Sequence, residues 1–276
     1  MGNCNCKNET GKGGIEMTVD FYTDVTKLPR TRYLQLVTSI RLLDPAIIRS
    51  NEPEEVLTFN YEEPLGERYI IPWRKVKAKL RRLVAERGRD LGYGVDCFLK
   101  ESLCMACPTC LLFGGTGETS TAKVDYNLMS RVLGETFISR NRGVEPWNYT
   151  ANAVGEVKHT TGQALMTLIT VPPDTEFIGV ITLKDPTPEM AAILMDGVER
   201  LTRIGARNVE WGRCKVDILG GGIYDREQYS AYELLRDGGL SEVPPLEVAL
   251  PDVESSFKKL QAEMDDLVKS IKGSGD

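Results

Sequence analysis

The sequence predicts an α+β fold, a βαββαβ ferredoxin-like core interrupted by long insertions. Three observations predict it. Two segments with helical apolar spacing, near 73–89 and 187–204, are separated by β-branched apolar runs. Their order is strand, helix, strands, strand pair, helix, strand. Between the first helix and the strand pair lies a stretch rich in cysteine, glycine and asparagine that follows neither period.

Taken in order, residues 1–16 form a polar tail and read as disordered. Residues 33–43 read as the first strand. A loop through Asn51, Glu52 and Pro53 leads to a second strand around 56–61. Pro72 presets the start of a helix over 73–89, and Gly88, Gly92 and Gly94 end it. Residues 114–160 read as irregular with isolated short strands. Within them, Gly114-Gly115-Thr116-Gly117-Glu118-Thr119 lacks the lysine of a Walker motif and reads as a flexible loop. Segments 163–170 and 176–183 read as strands joined into a hairpin by Val171-Pro172-Pro173-Asp174. Thr187 and Pro188 open a second helix, with Met190, Leu194, Val198, Leu201 and Ile204 as its buried stripe and Gly205 as its stop. A last strand covers 214–219, ahead of three glycines. Phe257, Leu260, Met264, Leu267 and Ile271 give a short heptad-like stripe expected to pack on the domain, with a neighbouring subunit as the alternative. The expected organisation is a tail at 1–16, a discontinuous core at 30–96 and 155–250, an insertion at 97–154 and a C-terminal helix at 251–276.

Composition narrows the class. The 276 residues are 41% hydrophobic and 27% charged, as in a soluble globular protein. No apolar run reaches membrane-spanning length, and the polar N-terminus does not read as a signal peptide, so the expected location is the cytoplasm. Met1-Gly2 is not a convincing myristoylation start, because Cys6 stands where Ser or Thr is wanted. The net charge of −6 argues against a protein that coats nucleic acid with its whole surface and permits one basic groove.

Such a groove has a candidate. From Arg68 to Arg89 there are nine basic residues (Arg68, Arg74, Lys75, Lys77, Lys79, Arg81, Arg82, Arg87 and Arg89) against the single acid Glu86. Like charges on one helix repel, and a polyanion turns that cost into binding through counterion release. Val76, Leu80, Leu83 and Val84 form an apolar stripe on the same helix, so an ordinary solvated face is the competing reading.

Seven cysteines divide by position. Cys4 and Cys6 lie in the tail, and Cys214 reads as a small buried hydrophobe. Cys97, Cys104, Cys107 and Cys110 give C-x6-C-x2-C-x2-C, which in a reducing compartment reads as a closed structural zinc site. An iron–sulfur cluster, free thiols or a hyperthermophile disulfide are the rivals. His159, the single histidine, is an alternative to Cys97 as fourth ligand.

Several of these segments, in this order, resemble the RAMP superfamily of CRISPR-associated proteins. Ile71-Pro72 and the basic helix are similar to the family's Ile-Pro-Gly-Ser-Ser-x-Lys-Gly-x-x-Arg segment, with Lys77 and Arg81 at the family's Lys and Arg. Cys110-Leu111-Leu112-Phe113-Gly114 resembles its Leu-Phe-Gly turn. Val171-Pro172-Pro173-Asp174-Thr175-Glu176-Phe177 resembles its Val-Pro-x-Gly-Thr-x-Phe hairpin. Gly205-Ala206-Arg207 and Trp211-Gly212-Arg213 stand where its glycine-rich loop and strand lie. The cysteine cluster ahead of the Leu-Phe-Gly turn makes the chain most similar to the backbone subunit of type I-D effector complexes. The resemblance implies an RRM-like core with inserted zinc-binding and lid or thumb segments. It also implies binding to crRNA, beside other effector subunits and copies of the same chain. The chain departs from the pattern at Trp73-Arg74, which replaces a Gly-Ser pair.

On that reading Arg74, Lys75, Lys77 and Arg81 contact phosphates, and Arg140, Arg142, Arg207 and Arg213 extend the groove. Trp147 and Tyr149 are candidate wedges between bases. No catalytic residue is assigned. The alternatives are a metal-dependent nuclease using Asp44, Glu52, Glu54 or Glu55, and a metal or redox cysteine protein unrelated to RNA.

Overall fold

The computed structural model describes residues 20–49, 57–118, 123–141, 146–154 and 161–272. In chain order the elements are β1 (Tyr33–Leu42), β2 (Thr58–Asn60), β3 (Glu67–Ile71), α1 (Trp73–Asp90), α2 (Pro108–Phe113), β4 (Val132–Gly134) and β5 (Phe137–Ser139). There follow β6 (Trp147–Val154), β7 (Thr161–Thr170), β8 (Glu176–Lys184), α3 (Pro188–Glu199), β9 (Cys214–Tyr224), α4 (Ala231–Asp237) and α5 (Val253–Lys272). The 1–16 tail lies outside the described residues.

The chain is built around β1, which is buried on both faces along nearly its whole length. Leu34, Leu36, Ile40 and Leu42 alternate into one apolar core, while Val37 enters a second core on the opposite face. The antiparallel sheet runs β2-β3-β5-β8-β1-β9, with β4 also on β8. Register runs from Tyr33 opposite Lys184 to Arg41 opposite Glu176 on β8, and Leu42 faces Cys214 on β9.

One layer of helices covers the first face. Val76, Leu80 and Val84 of α1, Met190 and Leu194 of α3, and Phe257, Leu260 and Met264 of α5 share the core with β1. Each such side chain contributes about 1.5–3 kcal/mol on full burial. Thr187 caps α3 as its sequence position requires, its hydroxyl accepting the Met190 N–H at 3.3 Å. On the other face, β1 carries buried Gln35. Its Nε2 donates to Thr182 Oγ1 and to the Tyr229 carbonyl, and its Oε1 accepts the Gln228 and Tyr229 N–H groups. Every polar arm of a buried amide is thus satisfied, and the segment entering α4 is tied to the sheet. Glu135 completes the tie by accepting the Ala231 N–H at the start of α4.

Several readings are corrected. The 163–170 and 176–183 strands do not form a hairpin. β7 pairs with β6 in a separate two-stranded sheet, and β8 pairs with β1, β4 and β5. The Pro-Pro-Asp turn is real, with Asp174 at φ +59° and its N–H donating to the Leu42 carbonyl, but it leads from one sheet into another. Gly88 does not end α1; it lies inside the helix, where an added Cβ would sit 3.1 Å from the Phe257 ring. α3 ends at Glu199, well before Gly205, although Leu201 and Ile204 are buried as expected. β9 continues through Gly220-Gly221-Gly222 to Tyr224. Gly115 and Leu128 exchange both backbone hydrogen bonds, which ties down the start of the glycine loop. β3, α2 and α4 were not foreseen.

Two outcomes follow from this packing. An added Cβ at Gly179 in β8 would lie 2.4 Å from Phe137 ring atoms in a fully buried contact. Gly179→Ala is expected to lower stability by about 1–3 kcal/mol through overpacking, read as a drop in Tm. Burial, opposed by hydrogen bonds from Ala231, Val180 and Ser230, pushes the Glu135 carboxyl up from 4.5 to about 7. Between these values the native chain holds a proton that the unfolded chain has released, so this group's contribution to stability falls as pH rises. Glu135→Gln keeps an acceptor for Ala231 and removes the titration. Its Tm relative to wild type should therefore climb as pH rises from about 4.5 to 7; a constant difference across that range would refute the assignment.

Candidate metal centre and nucleic-acid interface

The cysteine segment folds as a knuckle between α1 and α2. The Cys97 N–H donates back to the Gly94 carbonyl, and Phe98 and Ser102 exchange backbone bonds. Met105 takes φ +56° between Cys104 and Cys107. Cys107 precedes α2 in extended conformation, with Pro108 at the first helical position, so Cys110 projects from the helix toward the other three sulfurs. Gly94, at φ +63°, is required here: a Cβ would meet Cys107 Sγ at 3.2 Å.

The result is four sulfurs within 4.8 Å of one another. Cys97 Sγ lies 3.5 Å from Cys110 Sγ, and Cys104 Sγ lies 4.0 Å from it. Four thiolates bound tetrahedrally at ~2.3 Å to one ion stand about 3.8 Å apart, between the two observed separations. The Cys104 N–H also donates to Cys97 Sγ at 3.4 Å. The thiols perturb one another. Hydrogen bonds from Cys104, Cys107 and Cys110 hold Cys97 far below the thiol range, and those from Cys107 and Cys110 bring Cys104 down to about 7. Interaction with Cys104, Cys110 and Cys97 drives Cys107 up, and interaction with Cys104 and Cys97 drives Cys110 up against an opposing effect of Cys107. A divalent cation among the four sulfurs would favour the ionised form of all of them. The donor set fits a soft divalent metal. His159 lies outside the described residues.

The basic helix is anchored by its apolar stripe. Arg74 is exposed and Lys75, Lys77 and Arg81 are half-buried. Among the described residues none of these, nor Lys79 or Arg82, forms an ion pair. Burial, with Arg74 beside it, lowers the Lys75 ammonium pKa, and burial with Arg81 lowers that of Lys77. The four residues do not share one face: at 3.6 residues per turn Lys75 and Lys77 point about 160° apart. Arg81 is partly structural, donating to the Gly114 carbonyl at 2.8 Å. Trp73 turns its indole onto Gly134, against which an added Cβ would clash at 2.7 Å. Arg68 is removed from the basic field: it is 5% exposed and donates to the carbonyls of Leu65, Ser139 and Arg140.

The remaining arginines lie elsewhere. Arg140 pairs with Glu176 at 3.1 Å, and Arg142 lies outside the described residues. Register places Arg140, Glu176, Arg41 and Lys215 in a row across β5, β8, β1 and β9. Within this row Lys215 is paired with Asp217 at 2.9 Å. Arg207 and Arg213 are exposed on a loop pinned to the chain after β1, where Ala206 N–H bonds to Ile47 and Gly212 N–H to Pro45. Asp44, a candidate nuclease acid, accepts the Arg213 N–H in this brace, and Glu52, Glu54 and Glu55 lie outside the described residues. Trp147 is 49% exposed at the start of β6, and the Tyr149 side chain is outside the described set. Cys214 is buried, its thiol pushed up to about 12 by burial and by the Asp44 charge.

No helix among the described residues is long and apolar enough to cross a membrane. A crystal structure of Csc2 from Thermofilum pendens is similar in fold, with a TM-score of 0.56 at 21% identity over 90% of this chain and 81% of that one. A chain of a type IV-B CRISPR complex aligns with a TM-score of 0.49 at 13% identity, over 81% of this chain and 96% of that one. Comparison with curated protein sequences finds no match. The family model described as Csc2 Crispr matches residues 20–272, in agreement with the CRISPR resemblance carried by the ordered motifs. The chain therefore belongs to the Csc2 family of CRISPR proteins.

Proposed function

We propose that this chain is a non-catalytic subunit of a CRISPR interference complex that holds single-stranded crRNA in a basic groove, beside other effector subunits and copies of itself. The observation that carries the reading is the row of cations on α1 that no carboxylate among the described residues neutralises. Such a row gains most from a polyanion, because each phosphate bound releases a condensed counterion. Arg74 and Lys77 are assigned to phosphates, with Arg207 and Arg213 extending the path; Lys75, about 160° around the helix from Lys77, is left out. Arg81 and Arg140 mainly position backbone and partner groups.

The strand order β9-β1-β8-β5, with α1 and α3 on one face, supports reading the core as ferredoxin-like and RRM-like. The knuckle is assigned to zinc held by Cys97, Cys104, Cys107 and Cys110. Four thiolates leave no open position for a substrate, so the metal would brace the insertion rather than act on RNA.

Arg74→Glu with Lys77→Glu should weaken binding of single-stranded RNA at least tenfold, measured by gel shift at fixed salt, with the folded signature by circular dichroism retained. Arg81 is left intact because its bond to Gly114 supports the fold. Wild-type affinity in that double variant would overturn the reading. Purified protein should be colourless and carry one equivalent of zinc. Cys110→Ser should lose that metal and unfold at a lower temperature, because the structural site's binding energy is folding energy. A full zinc complement in Cys110→Ser, or an iron–sulfur absorption band, would refute the assignment.

A further inference from the structure

Between α1 and the cysteine knuckle lies a cavity of about 270 Å³. Arg81, Arg82, Ala85 and Arg89 of α1 form one wall, and Phe98 and Lys100 of the knuckle face them. Positions 81, 85 and 89 follow one another at four-residue spacing, so they stack along one helical face. Ala85 is small and leaves the space open between the guanidinium groups. The Arg89 guanidinium lies 5.9 Å from the Phe98 ring centroid. Phe98 is nevertheless 45% exposed, and its neighbour Leu99 57% exposed. One carboxylate, Glu101, is also present against four cations.

A flat apolar surface beside concentrated cations is the combination that holds a base and its phosphate together. The volume falls just below the ~300–1,000 Å³ of ordinary small-molecule pockets, which suits one nucleotide rather than a folded partner. The cavity also continues the stripe that begins at Arg74 and passes the small Ala78. We infer that this cavity is a nucleotide subsite, in which Arg82 and Arg89 bind phosphate and Phe98 stacks on one unpaired base of a single-stranded RNA. The inference rests on the RNA-binding reading of α1 and adds to it a base-stacking position outside the sheet. Cys97, next to Phe98, also lines the cavity, so a metal held by the knuckle would steady the stacking wall.

The test uses full-length, zinc-loaded protein and a fluorescently labelled oligouridylate, with anisotropy measured over a salt series. Arg82→Ala with Arg89→Ala should weaken binding and flatten the log–log salt slope by about 1.4, two single-strand phosphate contacts at ~0.7 each. Phe98→Ala should weaken binding about tenfold with the salt slope unchanged, as expected for loss of stacking alone. Photocrosslinking with 4-thiouridine should place a nucleotide on the peptide containing Phe98. Should the arginine pair disturb zinc content, Phe98→Ala and the crosslink decide the matter. Wild-type behaviour of the cavity variants, with Arg74→Glu/Lys77→Glu still weakened, overturns the subsite and leaves the α1 reading intact. Indifference of both sets removes the RNA reading itself.

Discussion

Burial of one stripe of α1 holds together charges that would otherwise repel. Like-charged pairs one turn apart cost about 0.2–0.5 kcal/mol each. Val76, Leu80 and Val84, all essentially inaccessible, return about 1.5–3 kcal/mol each by entering the core beneath β1. The apolar contribution outweighs the repulsion, so the helix forms without a partner and presents its cations preassembled. The ordering cost is therefore met in folding and need not be met again on binding.

The cations are held to different degrees, and that difference sorts their roles. Arg68 satisfies three backbone carbonyls in a buried position, so its charge-assisted hydrogen bonds join β3 to the end of β5. Arg81 spends one N–H on Gly114 and so ties α1 to the chain leaving α2. Arg140 is half neutralised by Glu176, which also accepts from Ser39 at 2.7 Å. Among the described residues Arg74 and Arg82 have no such restraint, and both are exposed. A single run of basic letters thus contains both structural braces and free charges.

Periodicity made α1, α3 and α5 legible, because each buries a continuous face whose spacing repeats over twelve or more residues, and β1 was legible from its run of apolar and β-branched residues. It failed for β4 and β5, three residues each, which carry too little pattern to detect. The hairpin error has a different cause. Turn chemistry at Pro172-Pro173-Asp174 is local, but strand partnership is not: the flanks of β8 are occupied by β1 on one side and by β4 and β5 on the other. The last strand was expected to stop at 219, ahead of three glycines, yet β9 runs on through them past a bulge opposite Val37 and Thr38, where added Cβ atoms would clash. At the site, the cysteine spacing was legible because two-residue gaps constrain geometry by themselves. The ion pair at Arg140 and the position of Phe98 beside Arg89 depend on segments far apart in sequence or on the path of the knuckle, and no local pattern encodes them.

The knuckle and the basic helix are mechanically one unit. α2 carries Cys110 and ends at Phe113, and the next carbonyl, Gly114, receives Arg81 from α1. On the opposite flank Gln261 of α5 donates to the Ala106 carbonyl between Cys104 and Cys107. Tyr126 holds the Met105 carbonyl from a third direction at 3.1 Å. The four sulfurs therefore sit at the junction of contacts from α1, α5 and the chain after α2. Without a cation, four crowded sulfurs cannot all be ionised, and the turn through Met105 must be held by these outside contacts alone. A cation at their centre would supply the inward restraint that the contacts lack, and would keep the wall facing Arg82 and Arg89 at fixed distance from α1. Such a cation would thus fix geometry for the basic surface beside it without entering its chemistry.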